Sequence, residues 1–282
     1  MPLHDLSYQR FDGARTSRAE RIVAIARTTI TQLVKRRAFL MLLSICWIPV
    51  IVRAVLIYVS RQFPQVAVAM TVDAQLWRQF LEQQIILLPV LLIALYTGAS
   101  AIASDFASGA IVIYLSKPIS RLDYCIGKAL PVMSALLVVT LVPAFALLIV
   151  QLSLAEDFAL LKESPFLPVS VLLYSLWICL FFTIVVLAVS SLTRSGRVAG
   201  AGFFALVLGS KMVFFVALTQ LRLNDPPAFL SLMDAPADAG YLFFGNLAGG
   251  DAPALSMASM ATVMALAILV LRRRLTAAEV AS

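Results

Sequence analysis

Six long apolar stretches dominate the sequence and restrict the folds open to it. A helix needs roughly 20 apolar residues to cross the hydrocarbon core of a bilayer, which is about 30 Å thick. Hydrophobic residues make up 61% of the chain and charged residues 13%, which is too apolar for a soluble domain. The sequence therefore predicts an all-α integral membrane protein with six transmembrane helices. The predicted spans are residues 38–60, 85–103, 130–152, 167–190, 198–218 and 253–271.

Basic residues lie mostly on one side of these spans. If both termini are cytoplasmic, the inner segments hold 16 lysines and arginines and the outer loops hold four. Cytoplasmic loops of membrane proteins carry an excess of this kind. We therefore expect cytoplasmic N and C termini, with residues 273–282 as a cytoplasmic tail. Because the positive charge is spread over several loops rather than one patch, it does not predict nucleic acid binding.

The segment before the first span predicts a basic amphipathic helix. We expect residues 1–16 to be a disordered cytoplasmic tail and residues 17–36 to be helical. Ser17 and Glu20 match the S-x-x-E capping box that begins many helices. A basic amphipathic helix directly before a span is typical of the lipid headgroup layer. Packing of a soluble helix on a partner is the alternative. The face at helical spacing consists of Ile22, Ala26, Thr29, Ile30 and Leu33.

The motifs that would make the chain an enzyme on its own are missing from the sequence. It contains no G-x-x-x-x-G-K-[ST] loop for ATP phosphates and no H-E-x-x-H or G-x-S-x-G motif. One histidine and three widely separated cysteines do not predict a metal site. No carboxylate lies well inside a predicted span, whereas secondary transporters usually carry them there. We expect no catalytic residue, metal or cofactor in this chain.

Two basic residues fall inside predicted spans. Arg53 can extend to the outer headgroups from the end of the first span. Lys211, about 13 residues into the fifth span, is a candidate functional residue because charges inside a bilayer are costly. It could also reach the outer headgroups. The predicted outer loop 219–252 contains an aromatic run too short to span, which indicates a re-entrant or interfacial piece.

The longest polar segment between two spans is 104–128, between the second and the third. Its three basic residues place it on the predicted cytoplasmic side. The pattern predicts a short helix over 109–116, which Pro118 cannot continue. Side-chain oxygens that accept from backbone N–H groups are expected at both helix starts. The expected caps are Asp105 and Ser108 for the short helix, and Ser120 with Asp123 for the helix after it.

Three short motifs stand within this segment. They are Asp105-Phe-Ala-Ser-Gly109-Ala-Ile, Leu115-Ser-Lys-Pro118-Ile-Ser-Arg121 and Gly127-Lys128. In order along the chain, the motifs contain an acidic residue, a small-residue–Gly turn, an apolar helix, P-x-[SG]-R and a G-K pair. With its span count, orientation and amphipathic helix, the chain resembles the ABC-2 type transporter permeases. Residues 37–272 would form the six-span permease domain.

The resemblance implies that residues 104–128 contain a coupling helix that docks on a separate ATP-binding subunit. ATP and Mg²⁺ would bind in that subunit and not in this chain. It further implies a second permease copy or homologue, a bacterial cytoplasmic (inner) membrane and export of an unidentified substrate. Ile111, Tyr114 and Leu115 would be apolar contacts to the ATPase, and Asp105 and Arg121 would end the rigid connection. The full set of implied coupling residues is Asp105, Gly109, Ile111, Tyr114, Leu115, Pro118, Arg121 and Lys128.

Two other functions fit the sequence. The chain could transmit ATP-driven motion to a periplasmic maturation process, such as assembly of a metal cofactor. It could instead be a secondary transporter or membrane enzyme that works without an ATPase. Co-purification of an ATP-binding subunit separates the ABC-type functions from the last class.

Overall fold

The computed structural model describes residues 17–62, 84–115, 119–154, 165–219, 228–244 and 252–280. Within these ranges every regular element is helical, as the sequence predicts. The predicted tail 1–16 lies outside the described residues. The helices are α1 (Arg18–Val34), α2 (Arg37–Gln62), α3 (Gln84–Gly98), α4 (Ala103–Ser108), α5 (Ala110–Leu115), α6 (Arg121–Leu154), α7 (Leu167–Ser191), α8 (Gly196–Thr219), a 3-10 turn (Ala228–Leu230), α9 (Asp234–Phe244) and α10 (Ala252–Val280).

Among the residues that the structure describes, six helical segments are long and apolar enough to cross a membrane, which confirms the predicted number of spans. The predicted third span, 130–152, lies within a longer helix, because α6 is continuous from Arg121 to Leu154. Part of the predicted tail 273–282 is helical, because α10 continues to Val280. The six segments are Arg37–Val59, Leu87–Ser108, Arg121–Ser153, Leu167–Ser191, Gly196–Thr219 and Ala252–Thr276.

The predicted capping box begins α1. The Ser17 hydroxyl accepts a hydrogen bond from the Glu20 N–H at 3.3 Å, and the Glu20 carboxylate accepts one from the Ser17 N–H at 2.8 Å. The helix packs against the start of α6 through its buried residues Ile25 and Ala26. Gly127 permits this approach, since a Cβ there would lie 2.9 Å from the Ile25 side chain. The apolar face of α1 is thus partly covered by α6.

The centre of the molecule is α7. It contacts α3, α6, α8, α9 and α10. Of its apolar span, 67% is buried inside the protein, against 17% of the span in α8 and 18% in α2. A helix that is apolar on all sides belongs in a core, and Phe181 and Phe182 are both fully buried. The spans α3, α6, α8 and α10 are therefore arranged around α7, and α2 packs on α3 and α6.

The second span is interrupted between α3 and α4, at residues 99–102. Ser190, at the end of α7, stabilises the interruption with its hydroxyl. That oxygen accepts from the N–H groups of Ile102 and Ala103 at 3.1 and 3.0 Å, and it donates to the Ala99 carbonyl at 2.8 Å. Ser190 is fully buried. Close packing also holds the segment, since a Cβ on Gly98 would overlap a methyl group of Val186.

Between α8 and α10 the chain forms α9, which has 11 residues and is too short to cross a bilayer. It packs on α7 and α10, and the 3-10 turn before it contacts α8. A short non-spanning piece in this loop is what the sequence predicts.

We expect Ser190→Ala to destabilise the protein much more than Ser191→Ala. Without the Ser190 hydroxyl, buried backbone groups at 99–103 have no partner, which costs about 1–3 kcal/mol for each group. Ser191 is an equally buried neighbour, but its hydroxyl donates only to Ala188 within the same helix. Thermal unfolding in detergent should show a clear loss for Ser190→Ala and a small one for Ser191→Ala. Equal losses would contradict the assignment.

Candidate functional site

Gly109 divides the predicted coupling segment into two short helices. Its φ and ψ angles are 69° and 7°, a left-handed conformation that favours glycine over other residues. The single helix predicted over 109–116 is therefore wrong in its start, because Gly109 lies between α4 and α5. The two caps predicted for this short helix, Asp105 and Ser108, are also wrong. Asp105 lies inside α4, and the Ser108 hydroxyl donates back to the Ser104 carbonyl.

The Asp105 carboxylate belongs to a buried cluster that joins α4 to α6. Its Oδ2 accepts a hydrogen bond from the Tyr124 hydroxyl at 2.7 Å and lies 2.7 Å from the Lys128 Nζ. Asp105 and Lys128 are each 8% exposed. Tyr124 and Lys128 stand four residues apart, so one face of α6 presents both to α4. A buried pair of this kind is stable only while both partners and their hydrogen bonds are present.

Tyr114 adds α5 to the same cluster. Its ring lies 5.5 Å from the Tyr124 ring, and the Lys128 Nζ lies 5.7 and 5.8 Å from the two ring centroids. Contacts between an ammonium group and aromatic rings at this range are attractive. Burial, and secondly the charge of Asp105, raise the pKa of Tyr114, so its phenol stays neutral at physiological pH. Both short helices are therefore held on α6.

The apolar residues of α5 face two directions. Ile111 is buried, 3% exposed, in a cluster with Tyr124 and with Leu275 of α10. Val112 and Ile113 are 45% and 63% exposed. Among the described side chains of α5, Val112 and Ile113 therefore make the exposed apolar surface, and Ile111, which the sequence suggested as a contact, packs inward.

The other predicted residues are placed as follows. Arg121 donates from Nη1 to the Thr276 hydroxyl of α10 at 2.8 Å, so it connects the start of α6 to the last span. Leu115 ends α5, but its side chain is outside the described residues, as is Pro118.

The start of α6 carries the predicted cap and also holds α1. The Ser120 hydroxyl accepts from the Asp123 N–H at 3.2 Å, and the Asp123 carboxylate accepts from the Ser120 N–H at 3.3 Å. Arg18 of α1 donates from Nε to Asp123 at 2.6 Å. Several helix ends thus meet around α6. We call this region the basic end, and it comprises α1, α4, α5, the first two turns of α6 and residues 272–276 of α10.

Lys211 forms an ion pair with Asp234, the first residue of α9. Its Nζ lies 2.6 and 2.7 Å from the two carboxylate oxygens, and 5.0 Å from the centroid of the Phe214 ring. The side chains of Lys211 and Asp234 are 31% and 24% exposed. α8 starts at Gly196, beside Ser100 and in contact with α4 of the basic end. Lys211 is 15 residues further on, so the pair lies roughly 22 Å along the helix from that end.

Sequence reasoning did not identify three partners in these contacts. Tyr124 and Asp234 were not recognised as partners of Asp105 and Lys211, and Leu275 was not placed near α5. The i, i+4 spacing of Tyr124 and Lys128 was a usable signal, because it places both side chains on one face of a helix in the same polar segment as Asp105. Nothing in the sequence indicates the pairing of Lys211 across a long loop.

The charged groups at the basic end pair with one another and so hold the helices together. The Asp105 charge is matched by Lys128, and the Asp123 charge is matched by Arg18. Among the described residues, no group of three or more His, Cys, Asp or Glu side chains could hold a metal ion. The arrangement joins helices to one another.

A comparison with protein-family models matches residues 23–272 to a family described as ABC-2 family transporter protein. The chain belongs to this family. It is therefore a multi-pass membrane protein and a permease subunit of an ABC transporter, and membership implies an ATP-binding subunit as partner. No curated protein matches the sequence significantly.

We expect the Asp105–Lys128 pair to show strong coupling in unfolding experiments. Lys128→Met alone leaves a buried carboxylate unpaired, which costs about 3–5 kcal/mol. The double variant Asp105→Asn/Lys128→Met removes both charges and should be more stable than Lys128→Met. The measurement is thermal unfolding of the four proteins of the cycle in detergent.

The matched control is the Arg18–Asp123 pair at the same end. The Arg18 side chain is 63% exposed, so Arg18→Met should cost at most about 1 kcal/mol. Additive effects of Asp105→Asn and Lys128→Met would show that the buried pair does not act as a unit.

Proposed function

We propose that this permease couples ATP hydrolysis by a separate ATP-binding subunit to the export of a substrate across a bacterial cytoplasmic (inner) membrane. The observation that carries the proposal is the geometry of α4 and α5. The Asp105–Lys128–Tyr124 cluster fixes these helices to α6, and Val112 and Ile113 point away from the protein. Because α4 and α5 are held firmly on α6, an ATP-binding subunit that contacts Val112 and Ile113 could transmit its movement to the spans.

The basic end is cytoplasmic in this proposal, and both termini lie on that side. The unequal distribution of lysine and arginine supports this orientation. α1 would lie in the headgroup layer, with its buried side on α6 and its basic residues towards lipid phosphates. Residues 37–272 form the permease domain, and residues 1–16 and 273–282 are cytoplasmic.

Force would pass from the ATPase into the membrane through several helices at once. When two ATP-binding subunits close on ATP and Mg²⁺, the docked α4–α5 unit moves with them. The ion pair transmits this motion to α6, and the Ser190 hydroxyl transmits it to α7. The Arg121–Thr276 hydrogen bond links the same region to α10. The spans then tilt as packed bodies.

A second permease copy or homologue would complete the pathway. The lightly covered spans α2 and α8 leave large apolar surfaces for lipid or for that second subunit. Hydrolysis itself belongs to the partner, because this chain has no P-loop. Export is the direction we propose, on the basis of the family.

The test is purification in mild detergent with identification of bound proteins. The wild-type chain should co-purify with a P-loop ATPase. Ile113→Asp places a carboxylate in the proposed contact, where desolvation should weaken binding at least about tenfold. The control is Leu192→Asp, an exposed apolar residue outside α5 whose side chain is 48% exposed, against 63% for Ile113.

Two results would overturn the proposal. One is consistent absence of an ATPase from the purified wild-type protein. The other is full co-purification and coupled ATPase activity in Ile113→Asp, which would place the contact elsewhere on the molecule.

A further inference from the structure

Helix α9 is firmly attached to two spans, α7 and α10. The Tyr174 hydroxyl of α7 donates to the Pro236 carbonyl at 2.8 Å, and the Ser256 hydroxyl of α10 donates to Asp238 at 2.5 Å. Tyr174 and Ser256 are fully buried. The Tyr174 ring also contacts the rings of Phe243 and Phe244, at centroid distances of 5.6 and 5.7 Å. These contacts make α7, α9 and α10 one packed unit.

The attachment of α8 to this region is of a different kind. α8 packs directly on α7, where a Cβ on Gly202 would lie 3.5 Å from Val189. Further along α8, two polar contacts hold it among the described residues, the Lys211–Asp234 ion pair and a hydrogen bond from the Leu232 N–H to the Ser210 hydroxyl at 3.0 Å. Its apolar packing on this loop is with the 3-10 turn. The ion pair is also more exposed than the contacts of Tyr174 and Ser256. Polar contacts at the edge of a structure separate at lower cost than buried ones, because water can replace each partner.

We infer that the Lys211–Asp234 pair is a latch that holds α8 to the α7–α9–α10 unit and opens during transport. This inference rests on the proposed function, which requires the spans to move relative to one another. When they move, the polar contacts of α8 part before the buried contacts of α9. Two separated charges are tolerated only if water reaches them. Opening of the latch and entry of water at the end opposite the basic end are therefore the same event.

The first experiment locks the latch. Lys211→Cys and Asp234→Cys, in a variant with Cys46, Cys125 and Cys179 replaced by alanine, are joined by a short thiol-reactive cross-linker that reduction cleaves. The purified complex with its ATPase should lose most of its ATP turnover, because a covalent link prevents α8 and α9 from separating. Reduction should restore the turnover.

The matched control joins α9 to α10 through Asp238→Cys and Ser256→Cys. These two residues lie inside one packed unit, so their cross-link should leave ATP turnover unchanged. Equal loss in both cross-linked proteins, or loss in neither, would overturn the latch while the ATPase partnership stands.

The second experiment measures opening directly on the permease. A charged, water-soluble thiol reagent labels Met233→Cys, next to the pair, in the same cysteine-free variant. Lys211→Met should raise the labelling rate about tenfold. The reversed pair Lys211→Asp/Asp234→Lys should restore slow labelling, and ATP with vanadate should raise the rate in the complex with the unaltered pair.

These measurements separate the two proposals. If no ATPase co-purifies, the proposed function fails, and the labelling of Lys211→Met still decides whether the pair closes this surface. If an active ATPase is present but labelling is the same with and without ATP and vanadate, the latch is wrong and the coupling proposal survives.

Discussion

The buried pair of Asp105 and Lys128 is the interaction on which the basic end depends. Removing two charges from water is unfavourable, and their mutual attraction offsets this only when the geometry is good and the remaining hydrogen bonds are made. Here the Tyr124 hydroxyl supplies such a bond, and two aromatic rings lie beside the ammonium group. The short helices α4 and α5 cannot leave α6 without breaking this ion pair and the Tyr124 hydrogen bond. Helices too short to be stable alone are thus held in one orientation.

The two ion pairs, which lie towards opposite ends of the spans, differ in how much of each is exposed. Asp105 and Lys128 are almost completely covered, while Lys211 and Asp234 are partly open. The first pair lies at the end where α1, α6 and α10 converge. The second lies where α8, the least covered of the spans, meets a short helix that belongs to its neighbours. The rigid attachment at the basic end and the weaker contact at the other end would allow a movement of the basic end to separate α8 from α9.

Much of the fold follows from the sequence, because lipid imposes simple rules on length and polarity. The six spans and the capping boxes at Ser17 and Ser120 depend on local patterns, and they were predicted. The boundaries near residue 109 were not, because Gly109 reads equally well as a helix start or as a left-handed turn. The inward direction of Ile111 depends on α10, which is more than 140 residues away in sequence. Contacts of that kind leave no local signal, and the pairing of Lys211 with Asp234 was missed for the same reason.

The contribution of α10 to the basic end also determines when that region can be completed. Ile111 and Tyr124 pack on Leu275, and Arg121 binds Thr276. During synthesis the second and third spans enter the membrane well before the sixth exists. Until then the inner side of α5 lacks its contact with α10, and α5 is not yet fixed in its final position. If the ATP-binding subunit docks on α5 as proposed, the complete docking surface forms only after the last span is made.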